Sequence, residues 1–244
     1  VIRFPTGSSE TATSGQVEIT MTDEERYFNL NELAADPTGP LVLLGVPLEI
    51  AQAVVDYVDD PPEEPAEDWP EAQPPYYAKD APIVALEELR QIPVMTEEAF
   101  ARLEASTTVA REPGTALNLN TATSEVLTAM GLTPSTVEDR IMRFREGSDG
   151  PEAHEQDGIF TPAKTILQTL QDAGMEVTDP NDKTLLGSPA VGVTSQTFTI
   201  IAEGIMERPP VRYRVEAVVQ RGGTEPPLLD VNGQVFRLVS WREG

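Results

Sequence analysis

The carboxylates gathered after residue 55 carry the clearest chemistry in the sequence. Asp56, Asp59, Asp60, Glu67 and Asp68 bring hard oxygen donors into a short span. The Pro and Ala residues between them let the backbone fold back and add carbonyls, as the roughly six to eight oxygens around calcium require. The spacing is not that of an EF-hand loop, and a solvated acidic stretch holding no ion fits the composition as well. His154, the single histidine, sits in a polar run from Gly150 to Gly158 with no serine nucleophile nearby, which suits a solvated side chain better than a catalytic base. With no cysteine there is no thiol nucleophile, thiolate metal site or disulfide. Neither a Gly-rich phosphate loop between strand and helix nor a paired-His zinc motif occurs. The expectation is a protein that is not an enzyme, with no catalytic residue assigned.

The elements that must hold the acidic stretch read as follows. Val1 to Gly15 is small, hydroxylic or Gly, too poor in apolar surface to order itself, and is expected to be a flexible leader. Val17, Ile19 and Met21 alternate, which predicts a strand over 16–21. Val46, Ile50, Val54 and Tyr57 recur at helical spacing behind Pro47, predicting a helix over 47–57. The prolines after Asp60 then forbid helix, and the chain stays acidic and irregular to about Pro82. Such a long irregular loop is usually functional, ligand-held or without fixed order. Further helices are expected over 83–91, 96–104, 123–130, 134–146 and 161–173, with Thr96, Thr123, Thr133 and Thr161 as caps. Beyond Gly187, β-branched and aromatic runs over 196–205, 211–220 and 234–241 predict an antiparallel meander. Together with the early strand they make a four-stranded sheet interrupted by a helical insert. In the run over 211–220 Tyr213, Val215, Ala217 and Val219 alternate with Arg212, Arg214, Glu216 and Val218, so one face is expected buried and one wet.

A chain of 244 residues with 39% apolar content can build a proper core. Seventeen Lys and Arg against 41 Asp and Glu give a net charge of −24, which repels polyphosphates and anionic lipid. No apolar run approaches the roughly 18 residues that span a bilayer. The first residue follows no signal pattern, so the chain is expected to be a soluble fragment or mature form.

Two phrases stand out: Phe28-Asn29-Leu30-Asn31-Glu32-Leu33 and Leu117-Asn118-Leu119-Asn120-Thr121-Ala122. Both read as chain corners locked by side-chain amides. With Asp56-Tyr57-Val58-Asp59, Ala66-Glu67-Asp68, Pro74-Pro75-Tyr76, Glu87-Glu88-Leu89-Arg90, Glu125-Val126-Leu127 and the closing Ser195-Gln196-Thr197-Phe198 and Val239-Ser240-Trp241-Arg242-Glu243, the order of motifs resembles the K-type minor pseudopilins of type II secretion. Tyr57-Val58 stands where that family has Trp-Ile, Leu119 where it has Val, and the Pro/Glu-rich 61–65 segment departs from it.

The resemblance implies an α+β fold, a pilin-like antiparallel β-sheet with a large inserted α-helical domain. The expected division is a leader over 1–15, the sheet domain over 16–30 and 187–244, and the insert with its acidic loop over 31–186. It also implies a role at the tip of a pseudopilus in protein export and in starting its assembly, with minor pseudopilins I and J as partners. An inner-membrane helix ahead of Val1 would anchor a periplasmic domain in a Gram-negative cell. Calcium in the insert is implied too, carried over onto Asp56, Asp59, Asp60, Glu67 and Asp68. The rival reading is a helix-hairpin-helix nucleic-acid binder, since Asn118 to Ala122, the turn at Gly131 and Gly158-Ile159-Phe160 resemble that motif. The turn Gly131-Leu132-Thr133-Pro134 lacks the Gly-Ile-Gly pattern, and an anionic surround opposes phosphate contacts.

Overall fold

Runs that alternate at period two become one antiparallel sheet, and runs at helical spacing between them become a separate helical unit. The structure is a computed structural model and describes residues 2–6, 13–32, 38–58, 79, 81–147, 158–206, 210–222, 228–231 and 234–244. In chain order the strands are β1 (Ile2–Thr6), β2 (Thr13–Asp23), β3 (Phe28–Asn29), β4 (Thr107–Thr108), β5 (Leu117–Asn118), β6 (Val191–Gly192), β7 (Thr197–Met206), β8 (Val211–Arg221), β9 (Leu228–Val231) and β10 (Gln234–Glu243). The helices are α1 (Thr38–Leu43), α2 (Leu48–Val58), α3 (Glu97–Ser106), α4 (Ser124–Ala129), α5 (Pro134–Thr136), α6 (Arg143–Glu146), α7 (Ile166–Asp172) and α8 (Pro180–Leu186). The fold is α+β in two compact units, one of Val1–Glu24 with Ser195–Gly244 and one of Glu25–Thr194.

The first unit is a six-stranded sheet in the order β1-β2-β7-β8-β10-β9, with every neighbouring pair antiparallel. It exceeds the expected four strands by one at each edge. Ile2–Thr6, read as part of a leader, pairs with the start of β2; five alternating residues were hidden in a Ser-, Thr- and Gly-rich context. Leu228–Val231 pairs with β10. Cross-strand rows put Met21, Ile200, Ala217 and Trp241 on one face, followed by Ile19, Ala202, Val215 and Glu243, then Val17, Gly204 and Tyr213. The other face carries Glu18, Glu203 and Arg214, then Thr20, Ile201, Glu216 and Arg242.

Trp241 reaches the apolar face only because the register shifts between Leu238 and Ser240; one extra residue in a period-two strand exchanges the faces. The expected burial of the apolar face holds for Ala217 and Val219, with Val218 beside them on β8, whereas Met21 is 66% and Trp241 52% exposed. Glu243 orders this end of the sheet, accepting from Tyr213 Oη at 2.6 Å and Trp241 Nε1 at 3.0 Å.

The second unit has its own core, including Leu30, Leu41, Val54, Leu89, Leu103, Leu119, Leu127, Ile141 and Leu170. Thr96, Thr123 and Thr133 cap α3, α4 and α5. Residues 161–164 do not begin a helix: α7 starts at Ile166 behind Thr165, because Thr165 and Gln168 bond reciprocally at the helix start. Residues 83–91 were expected to be α-helical, but only a 3-10 turn, Leu86–Gln91, forms. The Glu88 carboxylate holds the amides just before the turn, and Pro93 bars helix at Ile92.

Candidate functional site

The helical unit is one motif built twice. In the first copy Leu44 N donates to Pro40 O, Gly45 N to Val42 O and Val46 N to Leu41 O. In the second, Met130 N donates to Val126 O, Gly131 N to Thr128 O and Leu132 N to Leu127 O, the same three bonds at one constant offset. Both turn glycines take positive φ, 82° and 102°, where a side chain is strained. Leu41 and Val46 are buried, as are Leu127 and Leu132. The next helix begins alike, with Ala51 N on Pro47 O and Val137 N on Thr133 O. Between α5 and α6 the second copy then widens into a π-helical stretch, Val137–Met142. A π-bulge accommodates one inserted residue, and past it Ile141 and Phe144 repeat the spacing of Val54 and Tyr57.

Each copy opens on an Asn-Leu-Asn phrase with the same wiring. The leading Asn29 and Asn118 accept from the amides of Asn31 and Asn120, both at 3.0 Å. The trailing asparagines reach far along the chain. Asn31 donates to Ile83 O at 2.9 Å and accepts from Ile83 N at 2.8 Å. Asn120 donates to Phe160 O and Val193 O, and accepts from Phe160 N, all at 2.9 Å. Each phrase also forms a short parallel pair, β3 with β4 and β5 with β6. The sequence pointed to both asparagine pairs as corner locks; their partners lie 52, 40 and 73 positions away.

Of the acidic residues singled out for calcium, Asp56 is half-buried in the last turn of α2, while Asp59, Asp60, Glu67 and Asp68 lie outside the described residues, as does His154. Among the described residues no group of three or more Asp, Glu, His or Cys is placed to hold a metal ion. What the structure adds is a carboxylate joining both flanks of the acidic stretch. Glu88 Oε2 accepts from Lys79 Nζ at 2.5 Å and from Tyr57 Oη at 3.4 Å, and Glu88 Oε1 accepts from the amides of Val84 and Ala85 at 2.9 and 3.0 Å. Burial pulls the Glu88 carboxyl up, but the bond from Lys79, the two amides and the Lys79 charge outweigh it and hold it below its ordinary value. Burial beside that negative charge raises Tyr57. At the matching place in the second copy Gly158 N donates to Phe144 O at 2.9 Å, and the Phe144 and Phe160 ring centroids are 4.6 Å apart.

A cavity of about 480 Å³ lies where the two copies meet, walled by Phe28, Pro40, Met130 and Pro189 among others. Its charged edge is an ion pair, Arg111 Nη2 to Glu32 Oε2 at 3.1 Å, with Arg111 Nη1 also donating to Thr115 O. The wall is chiefly apolar and the pair neutral, an arrangement for packing rather than for proton transfer. From the sequence Lys79 and Arg111 had no part, and Glu32 and Glu88 only a place within the phrases at 28–33 and 87–90.

Residues 27–112 match a family model described as Type II secretion system (T2SS), protein K. Comparison with curated proteins finds no match. Among solved structures, a chain of the GspK-GspI-GspJ complex from the enterotoxigenic Escherichia coli Type 2 Secretion System is similar at TM-score 0.68 and 18% identity, over 100% of this chain and 82% of that one. At that identity the likeness concerns the fold. The likeness to type II secretion system protein K thus lies in residues 27–112, the first part of the helical unit.

Proposed function

We propose that the protein stands at the tip of a type II secretion pseudopilus as its K-type minor pseudopilin, helps initiate pseudopilus assembly, and assembles with minor pseudopilins I and J. The observation that carries this reading is the connectivity of the helical unit. It leaves the sheet after β2 and rejoins it before β7, two adjacent strands whose ends Asp23 and Phe198 are paired. A small pilin-like sheet thus carries a large folded unit between neighbouring strands, and bulk at such a place opposes the addition of a further subunit. The partners are supported by the similar chain's own complex, which contains GspI and GspJ. In this reading the work is steric and adhesive, with no reaction catalysed. The chain acts in the periplasm, tied to the inner membrane by a helix outside this sequence; among the described residues no helix is long and apolar enough to cross a membrane.

Mixing the purified chain with the soluble domains of its cognate I and J proteins tests the reading. A co-eluting ternary complex, burying on the order of 1,600 Å² per interface, is expected; three separate peaks at micromolar concentration would refute it.

Calcium belongs to the same reading, held by Asp56, Asp59, Asp60, Glu67 and Asp68. The donor set is all carboxylate, which suits a hard cation, and Asp56 stands beside Tyr57 where the Glu88 junction draws the two flanks together. Bound there, the ion would neutralise crowded charge. Millimolar calcium is expected to raise the melting temperature of the chelator-treated protein, and Asp56→Asn to reduce that rise; an unchanged melting temperature refutes the metal.

The doubled helix-turn-helix is the geometry that a nucleic-acid binder would use, but its first turn carries Val42, Leu43 and Leu48 exposed on a chain of charge −24.

A further inference from the structure

Because the helical unit contains the same turn twice, each copy is the other's control. The bonds that close the turns are identical, and the inward residues are apolar in both. The outward residues differ. Val42, Leu43 and Leu48 are 42, 57 and 55% exposed in the first copy, whereas Thr128, a buried Ala129 and Pro134 occupy those places in the second. The second turn closes without large aliphatics at these places, so folding of the motif does not call for them. Burying apolar side chains of this size against a partner is favourable, and clustered exposed aliphatics mark contact sites.

The surround has a charge character of its own. Glu49 is exposed on the first turn of α2. Arg102 lies over the turn, since a methyl at Gly45 would come within 2.7 Å of its Nη1, and it is already paired with Glu98 at 3.0 Å. The local balance is therefore negative, like that of the whole chain. We propose that the turn from Val42 to Leu48 is a docking surface for a protein whose contact patch is apolar at its centre and ringed by lysine or arginine. A second copy of this chain is opposed by charge repulsion, and so is an anionic lipid surface. The proposal goes beyond the assembly reading and does not depend on it.

Two synthetic amphipathic helices test it. They share one leucine face, and their polar faces are all lysine in one and all glutamate in the other. Each is titrated at physiological salt into isotopically labelled protein followed by amide NMR shifts. The lysine helix is expected to shift residues 42–48 and leave 128–134 in place, and Leu43→Gln with Leu48→Gln to weaken it at least tenfold. Core amide shifts in that double variant should stay unchanged, because both side chains are exposed. Undiminished binding to the double variant, equal shifts at both turns, or equal binding of the glutamate helix would overturn the proposal. Phosphatidylcholine vesicles that bind the native chain but not the double variant would overturn it in favour of a lipid surface.

Discussion

Replacing Asn120 by Ala removes one side chain that serves three distant backbone groups. Asn120 donates to the carbonyls of Phe160 and Val193 and accepts from the Phe160 amide, each at 2.9 Å, and Phe160 is only 2% exposed. A buried backbone group left without a partner costs about 1–3 kcal/mol. Three such groups give an upper range near 9 kcal/mol, but Val193 is half-buried and water can reach its carbonyl, so about 3–4 kcal/mol is the working figure. Among the described residues Asn31 serves two polar groups, both of Ile83, so Asn31→Ala should cost less, about 2–3 kcal/mol. The clasps share no partner, and the double variant should lose the sum. Urea unfolding followed by circular dichroism at 222 nm reads the helical unit, which matters because a chain of two units need not unfold in one step. An Asn120→Ala variant within about 0.5 kcal/mol of the parent, or an Asn31→Ala variant costlier than it, would refute the reasoning.

Asp182, fully buried in α8, accepts from the Thr133 amide at 3.0 Å and the Thr133 hydroxyl at 2.6 Å. Burial pulls its carboxyl up, but the Thr133 and Thr136 hydroxyls and the Thr133 amide prevail and hold it below the ordinary 3.8. Its stabilisation is therefore complete above that value and is lost as pH falls through the lower folded pKa. Asp182→Asn should cost about 2 kcal/mol at neutral pH and flatten the acid limb of a stability–pH curve; an unaltered limb would refute the assignment. Gly45→Ala should cost about 2 kcal/mol, combining positive φ with displacement of Arg102, while Gly131→Ala, with nothing within 4 Å of the added carbon, should cost about 1 kcal/mol. Equal losses in thermal unfolding would count against the contact at Arg102.

How much of this was legible follows from the range of each signal. β2, β7, β8 and β10 declared themselves by alternation. β1 did not, because Ile2-Arg3-Phe4 is followed by a hydroxylic stretch that looks unable to order. The register shift at Val239 has no sequence signature, yet it decides which face receives Trp241. In the helical unit, α8 is a short helix beginning Asp179-Pro180-Asn181-Asp182, a string that reads equally well as a turn. The doubled phrases around Asn29 and Asn118 were visible because a pattern that occurs twice rises above chance. Their partners were not, since nothing in Ile83 or Phe160 names the amide that will hold its backbone. Composition nominated the acidic stretch; the Glu88 junction beside it joins Lys79 to Tyr57, 31 positions before Glu88, which no local window relates.

The pairing of Asp23 with Phe198 makes the corner between β2 and β7 a splice point. Strand ends that face each other can be joined by a hairpin turn of a few residues, so the sheet should accept a different passenger there, or none at all. A lineage could then have acquired, enlarged or doubled its helical cargo without rebuilding the sheet, and an engineer could exchange that cargo as a cassette.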